Sequence, residues 1–81
     1  MDLVLPDTLI VVADKGYAQR LRQLAMVVRY TPTRVLVRKW YDRSRRWGAL
    51  VGVQRRHIVE VAGDTAATRR AREAWPPIEE G

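Results

Sequence analysis

No cysteine occurs in this sequence, so neither a disulfide nor a thiolate-bound zinc is available to staple the fold. Its one histidine, His57, has no serine or cysteine at a spacing that suggests a nucleophile and its base. The acids Asp7, Asp14, Asp42, Glu60 and Asp64 are scattered, without metal-ligand spacing or a recognisable acid/base pair. The five glycines stand singly, as turn residues do, and form no phosphate-cradling loop. The longest apolar runs, such as residues 9–13, fall far short of a bilayer span. The segment Met1-Asp2-Leu3-Val4-Leu5-Pro6-Asp7 has no basic stretch or extended apolar core, so no signal peptide is expected and the cytoplasm is the expected location. These absences set the first expectation: a protein that binds and does not catalyse, with no cofactor, no metal and no membrane partner. A nuclease centre at Asp14-Lys15 near Glu60 is the weakest alternative.

What is present is basic charge. The chain has 81 residues and a net charge of +6. That length feeds one hydrophobic core, and such a domain buries roughly 60–65% of its unfolded surface. A basic domain accumulates near polyanions such as nucleic acid, anionic lipid or an acidic protein surface. Arginine supplies 13 of the 15 basic residues, and its rigid fork suits phosphate and carboxylate. The plainer reading of that ratio is GC-rich coding, which points to a high-GC bacterium or its phage.

Along the chain, Thr8-Leu9-Ile10-Val11-Val12-Ala13 is β-branched and bounded by Asp14-Lys15-Gly16, which predicts a strand. Residues 17–24 are ambiguous: Tyr17, Leu21 and Leu24 fall at helical spacing, yet an irregular loop fits them as well, and better. A hairpin follows, with arms at residues 26–30 and 34–41 around Thr31-Pro32-Thr33. Alternation puts Met26, Val28 and Tyr30 on one face of its first arm. In the second arm, Val35 and Val37 oppose Arg34, Leu36 and Arg38. Asp42-Arg43-Ser44-Arg45-Arg46 reads as a second, longer hairpin connection. Ala49-Leu50-Val51 is a short strand, interrupted from Gly52 onward, and residues 57–61 alternate as a last strand. Asp64 or Thr65 then caps a helix over residues 65–75, with Ala67, Ala71 and Trp75 as its thin apolar stripe. Pro76-Pro77 stops it, and Ile78-Glu79-Glu80-Gly81 forms an acidic tail within 76–81.

Five short strands with a long first loop and compact later turns resemble the SH3-like barrel superfold over residues 8–61. Residues 9–13 and the stretch 15–24 look like its first strand and long loop, and residues 26–41 like its central hairpin. Residues 48–61 look like a fourth strand, a one-turn 3₁₀ connection and a fifth strand. The pattern is also similar to KOW-type modules, although Leu24-Ala25 stands where those carry a glycine. The resemblance implies a mainly β fold: a small five-stranded SH3-like barrel with a short C-terminal helix, in a single domain 1–81. It does not extend to a proline-rich-peptide site, because Val53 and His57 stand where peptide-binding SH3 domains carry proline and tyrosine. Such barrels host many functions, so the residues must decide.

The richest constellation is Arg38-Lys39-Trp40-Tyr41-Asp42-Arg43-Ser44-Arg45-Arg46-Trp47, with five cations and three aromatics in ten residues. Cations neutralise phosphates, and exposed rings stack on bases. Arg38, Lys39, Trp40, Tyr41, Arg43, Arg45, Arg46 and Trp47 are therefore the expected contact residues, with Arg55 and Arg56 as an extension. The plainer reading is that a tryptophan fills the core and the arginines solvate a turn. Arg20 and Arg22 are weaker phosphate candidates, and Arg69, Arg70 and Arg72 look like an ordinary solvated helix face. The expected partner is DNA or RNA, or else an acidic protein surface met by a phage accessory protein or inhibitor. Edge strands of an incompletely closed barrel also invite pairing between copies.

Overall fold

The computed structural model describes residues 5–13 and 22–77. It contains β1 (Leu9–Ala13), β2 (Arg22–Tyr30), β3 (Val35–Tyr41), β4 (Arg46–Val53) and β5 (Ile58–Val61), then α1 (Ala66–Glu73). A 3₁₀ turn, Arg55–His57, joins β4 to β5 where one turn was expected. All pairings are antiparallel, in the order β4-β3-β2-β1-β5. The expected mainly β fold with a short C-terminal helix is thus present. Among the described residues no ladder joins β4 to β5, so they form one sheet with two edges.

Period-two alternation serves two cores. On one face, Ile10, Val12, Ala25, Val27, Val35 and Val37 are buried together, with Tyr30, Val53 and Ile58 packed against them. On the other, Leu9, Met26 and Trp40 are buried with Ala71 of α1, and Leu24, Trp47, Ala62, Ala74 and Trp75 surround them. Strands covered on both faces read as nearly continuous apolar runs, which is how residues 9–13 and 24–28 look. Both sheet edges reach the first cluster, through Val53 of β4 and Ile58 of β5, so the sheet is strongly curved.

Three local expectations change. Residues 22–24 are strand, not loop or helix: Arg22, Gln23 and Leu24 stand opposite Ala13, Val12 and Val11. Pairing with β1 outweighs the helical spacing there. The rest of that segment, including Tyr17 and Leu21, lies outside the described residues, as does the acidic tail 78–81. Secondly, β4 runs through Gly52, which stands opposite Leu36, because the ladder with β3 continues past Val51. Thirdly, Tyr30 leaves the face of Met26. The β2–β3 register shifts between Val27 and Arg29, and the bulge turns Tyr30 to the first cluster opposite Val35.

The helix is short and well capped. Thr65 accepts from the Thr68 N–H (3.2 Å), while the Thr68 hydroxyl accepts from the Thr65 N–H (2.7 Å). The buried Thr68 hydroxyl also donates to the Thr65 carbonyl at 2.8 Å, so it is fully satisfied. α1 ends at Glu73, two residues short of the expected 65–75. The Trp75 N–H bonds the Arg72 carbonyl at 3.1 Å, a tightened last turn, and Pro76 has no N–H to extend the helix. The expected stripe does lay α1 on the sheet: Ala71 is fully buried, and Ala67 and Trp75 are half-buried. No helix among the described residues is long and apolar enough to cross a membrane.

Candidate functional site

The basic hairpin is built on a tryptophan cluster. Trp40 and Trp47 are paired across β3 and β4, with ring centroids 5.0 Å apart. Trp47 meets Trp75, which follows α1, edge to face at 4.9 Å. Each indole N–H has a partner. Trp40 donates to the Asp42 carboxylate (3.1 Å), Trp47 to the Ala74 carbonyl (3.1 Å) and Trp75 to the Asp7 carboxylate (3.2 Å). The three tryptophans therefore fasten the helix to the sheet, and Trp40, at 3% exposed, is interior. The plainer reading holds for that ring: it packs the core and presents no face for stacking.

Asp42 is the hinge of this arrangement. Its two carboxylate oxygens accept from Arg70 Nε (2.9 Å) and Arg70 Nη2 (2.7 Å), a forked pair from the β3–β4 turn to α1. These bonds, then the Trp40 N–H, hold its carboxyl down at about 2 from an ordinary 3.8. The same hydrogen bond raises the Arg70 guanidinium above its ordinary value. Arg70 is thus half-buried and committed, unlike the solvated helix face read from the sequence. Arg69 does conform to that reading, in an exposed pair with Asp64 at 3.0 Å.

With the helix so held, three arginines converge. Arg38 from β3 and Arg45 and Arg46 from the hairpin line a cleft of about 470 Å³, with Trp47 at its side and Glu73, Ala74, Pro76 and Pro77 opposite. Arg38 Nε donates to the Gly48 carbonyl at 2.7 Å, which fixes that guanidinium over β4. Arg45 has a left-handed backbone, φ 56°, the conformation that turns the chain into β4. Among the described residues, three cations and one carboxylate, Glu73, line this cleft. The positive field is therefore concentrated in one recess.

Comparisons with protein-family models, with curated proteins and with solved structures find no match to the chain.

The other expected contact residues lie elsewhere. Lys39 is half-buried on β3 opposite Ala25, and Arg43 is exposed in the turn. Tyr41 is 48% exposed, and its ring lies over Gly48, where a Cβ would come within 2.7 Å of its Cε2. Arg55 and Arg56 sit at the opposite end of β3, about 20 Å of strand away. There Arg55 stacks on Tyr30, 5.7 Å from its centroid, and donates to the Thr31 carbonyl at 3.4 Å. The structure does not bring them to the hairpin cleft. Arg22 faces Glu60 across 3.8 Å in an exposed pair. Asp14, Lys15 and Arg20 lie outside the described residues.

Sequence reasoning missed Asp42 and the wall formed by Glu73, Pro76 and Pro77. Asp42 was legible only as a turn residue, although an acid two positions after a tryptophan is within reach of its indole N–H. The prolines carried a signal for helix termination and none for what they line.

Proposed function

We propose that this chain is a small basic module that binds nucleic acid at the β3–β4 hairpin, mostly through phosphates, with little sequence preference and no catalysis. The observation that carries the reading is the convergence of Arg38, Arg45 and Arg46 on one cleft. Forked cations in a recess suit phosphate oxygens better than the same charges spread over a surface. The scaffold fits an incompletely closed SH3-like barrel: a four-strand meander, β1 to β4, with β5 returning to pair with β1, a 3₁₀ turn before β5, and both sheet edges touching the inner cluster. The proposed setting is the cytoplasm of a high-GC bacterium or a cell infected by its phage.

The test is fluorescence anisotropy with labelled DNA and RNA across salt concentration. Affinity should fall steeply as salt rises, by counterion release. Arg45→Glu with Arg46→Glu should abolish binding, with the circular dichroism spectrum unchanged. Undiminished binding by the double reversal would sink the assignment of this cleft.

A second reading, a protein-interaction module, is favoured by a different observation. Val51 on β4 and Val59 and Val61 on β5 are exposed valines on the two sheet edges. Such edges accept a strand from a partner or a second copy. Pull-down with and without nuclease separates the readings, since a protein partner survives digestion. Light scattering over a concentration series tests self-association.

A further inference from the structure

The arginine cleft has an apolar neighbour. A second recess of about 410 Å³ is lined by Val28, Leu50 and Trp75, and shares Arg38, Pro76 and Pro77 with the first. The two are halves of one groove, with the diproline along it and Arg38 at the junction. One half concentrates positive charge, and the other is walled by an indole, proline rings and aliphatic methyls. Each has the size of an ordinary small-ligand pocket, roughly 300–1,000 Å³. Leu50 is 44% exposed, so its side chain is open to a ligand at the rim.

A nucleotide has this same two-part chemistry: a planar apolar ring with a wet edge, joined to an anion. Resting on the nucleic-acid reading above, we propose that the groove takes one unpaired nucleotide, its base against Leu50 and Trp75 and its phosphate on the three arginines. A base stacked within a duplex cannot enter a recess, whereas a splayed base in a single strand can. Base contacts of this kind tolerate any sequence, because every base offers a flat face. The site therefore selects single strands over duplexes, without reading sequence.

Anisotropy with the unaltered protein decides this first, using a labelled single strand, the matching duplex and a strand of equal length with abasic sugars. The intact single strand should bind about tenfold more tightly than the abasic strand at equal salt, the effect of one stacked base. It should also bind more tightly than the duplex. Leu50→Gln should erase the preference for the intact over the abasic strand and leave the salt dependence unchanged. Equal affinity for the intact and abasic strands, or tighter binding of duplex, overturns the nucleotide site while leaving phosphate binding in place. Absence of salt-dependent binding to all three probes overturns the nucleic-acid reading itself. Capture of polyglutamate instead would indicate an acidic protein partner.

Discussion

Asp42 and Arg70, 28 residues apart in the chain, form a two-pronged contact that ties the β3–β4 turn to α1. Asp42 titrates near 2 when folded, against 3.8 ordinarily. A carboxyl with a depressed folded pKa contributes stability that is complete above its unfolded value and lost as pH falls through the folded one. Denaturation midpoints of the native protein and Asp42→Asn should therefore differ most above pH 4. The gap should close between pH 4 and pH 2. A gap independent of pH over that window would show that the charge of Asp42 is not what couples the elements. Arg70→Gln should add little to Asp42→Asn, because the two substitutions remove the same contact.

Trp47 touches both other tryptophans, so its removal should loosen the helix more than local area suggests. Trp47→Ala is expected to cost about 3 kcal/mol, and Trp47→Phe, which keeps a ring but loses the N–H to Ala74, about 1 kcal/mol. Urea denaturation followed by circular dichroism measures both. Equal losses would assign the whole effect to the hydrogen bond.

The capping box is a contact within the helix start alone. Thr65→Ala leaves the Thr68 N–H without its acceptor and should destabilise the protein by about 1 kcal/mol. For a domain this size, that is roughly 4–8 °C in Tm. Thr65→Ser should retain nearly all of the stability, and a scanning thermal melt suffices to compare them.

Arg45 combines strain and charge. Its left-handed φ of 56° suits glycine, so Arg45→Gly should stabilise the turn by about 1 kcal/mol relative to Arg45→Ala. Both substitutions should weaken nucleic-acid binding equally. Different affinities for the two variants, measured by anisotropy, would mean that turn geometry and not charge governs the site.

The elements with strict local chemistry were readable in the sequence. Pro32 in the first hairpin, the Thr65 cap and the valine-rich strands each announce themselves within a few residues. What escaped depended on register and distance. The bulge after Val27 moves Tyr30 across the sheet, and no feature of residues 26–30 marks it. Residues 22–24 read in isolation as irregular loop or helical turn, because the strand that pairs with them stands earlier in the chain, at Val11–Ala13. The hairpin was legible as a basic-aromatic cluster, but its division was not. Trp40 turned inward, Arg38, Arg45 and Arg46 gathered at the cleft, and Arg55 stacked at the far end. The opposite wall comes from Glu73, Pro76 and Pro77, so a window centred on the hairpin could not include it.

The place of β1 between β2 and β5 shapes how fast this fold can form. β2, β3 and β4 are a local meander that can assemble from neighbouring segments, whereas β1 must meet β5 across most of the intervening chain. Distant closures are entropically late and slow, and folding on the order of milliseconds to seconds is expected for such a topology. Substitutions at Val27 or Val37, within the meander, should slow folding. Those at Ile58 or Ala71, which join afterwards, should mainly hasten unfolding. The lifetime of the folded protein is therefore set where the last strand and helix attach: β5 along β1, and α1 just ahead of the Pro76 and Pro77 that line the arginine cleft.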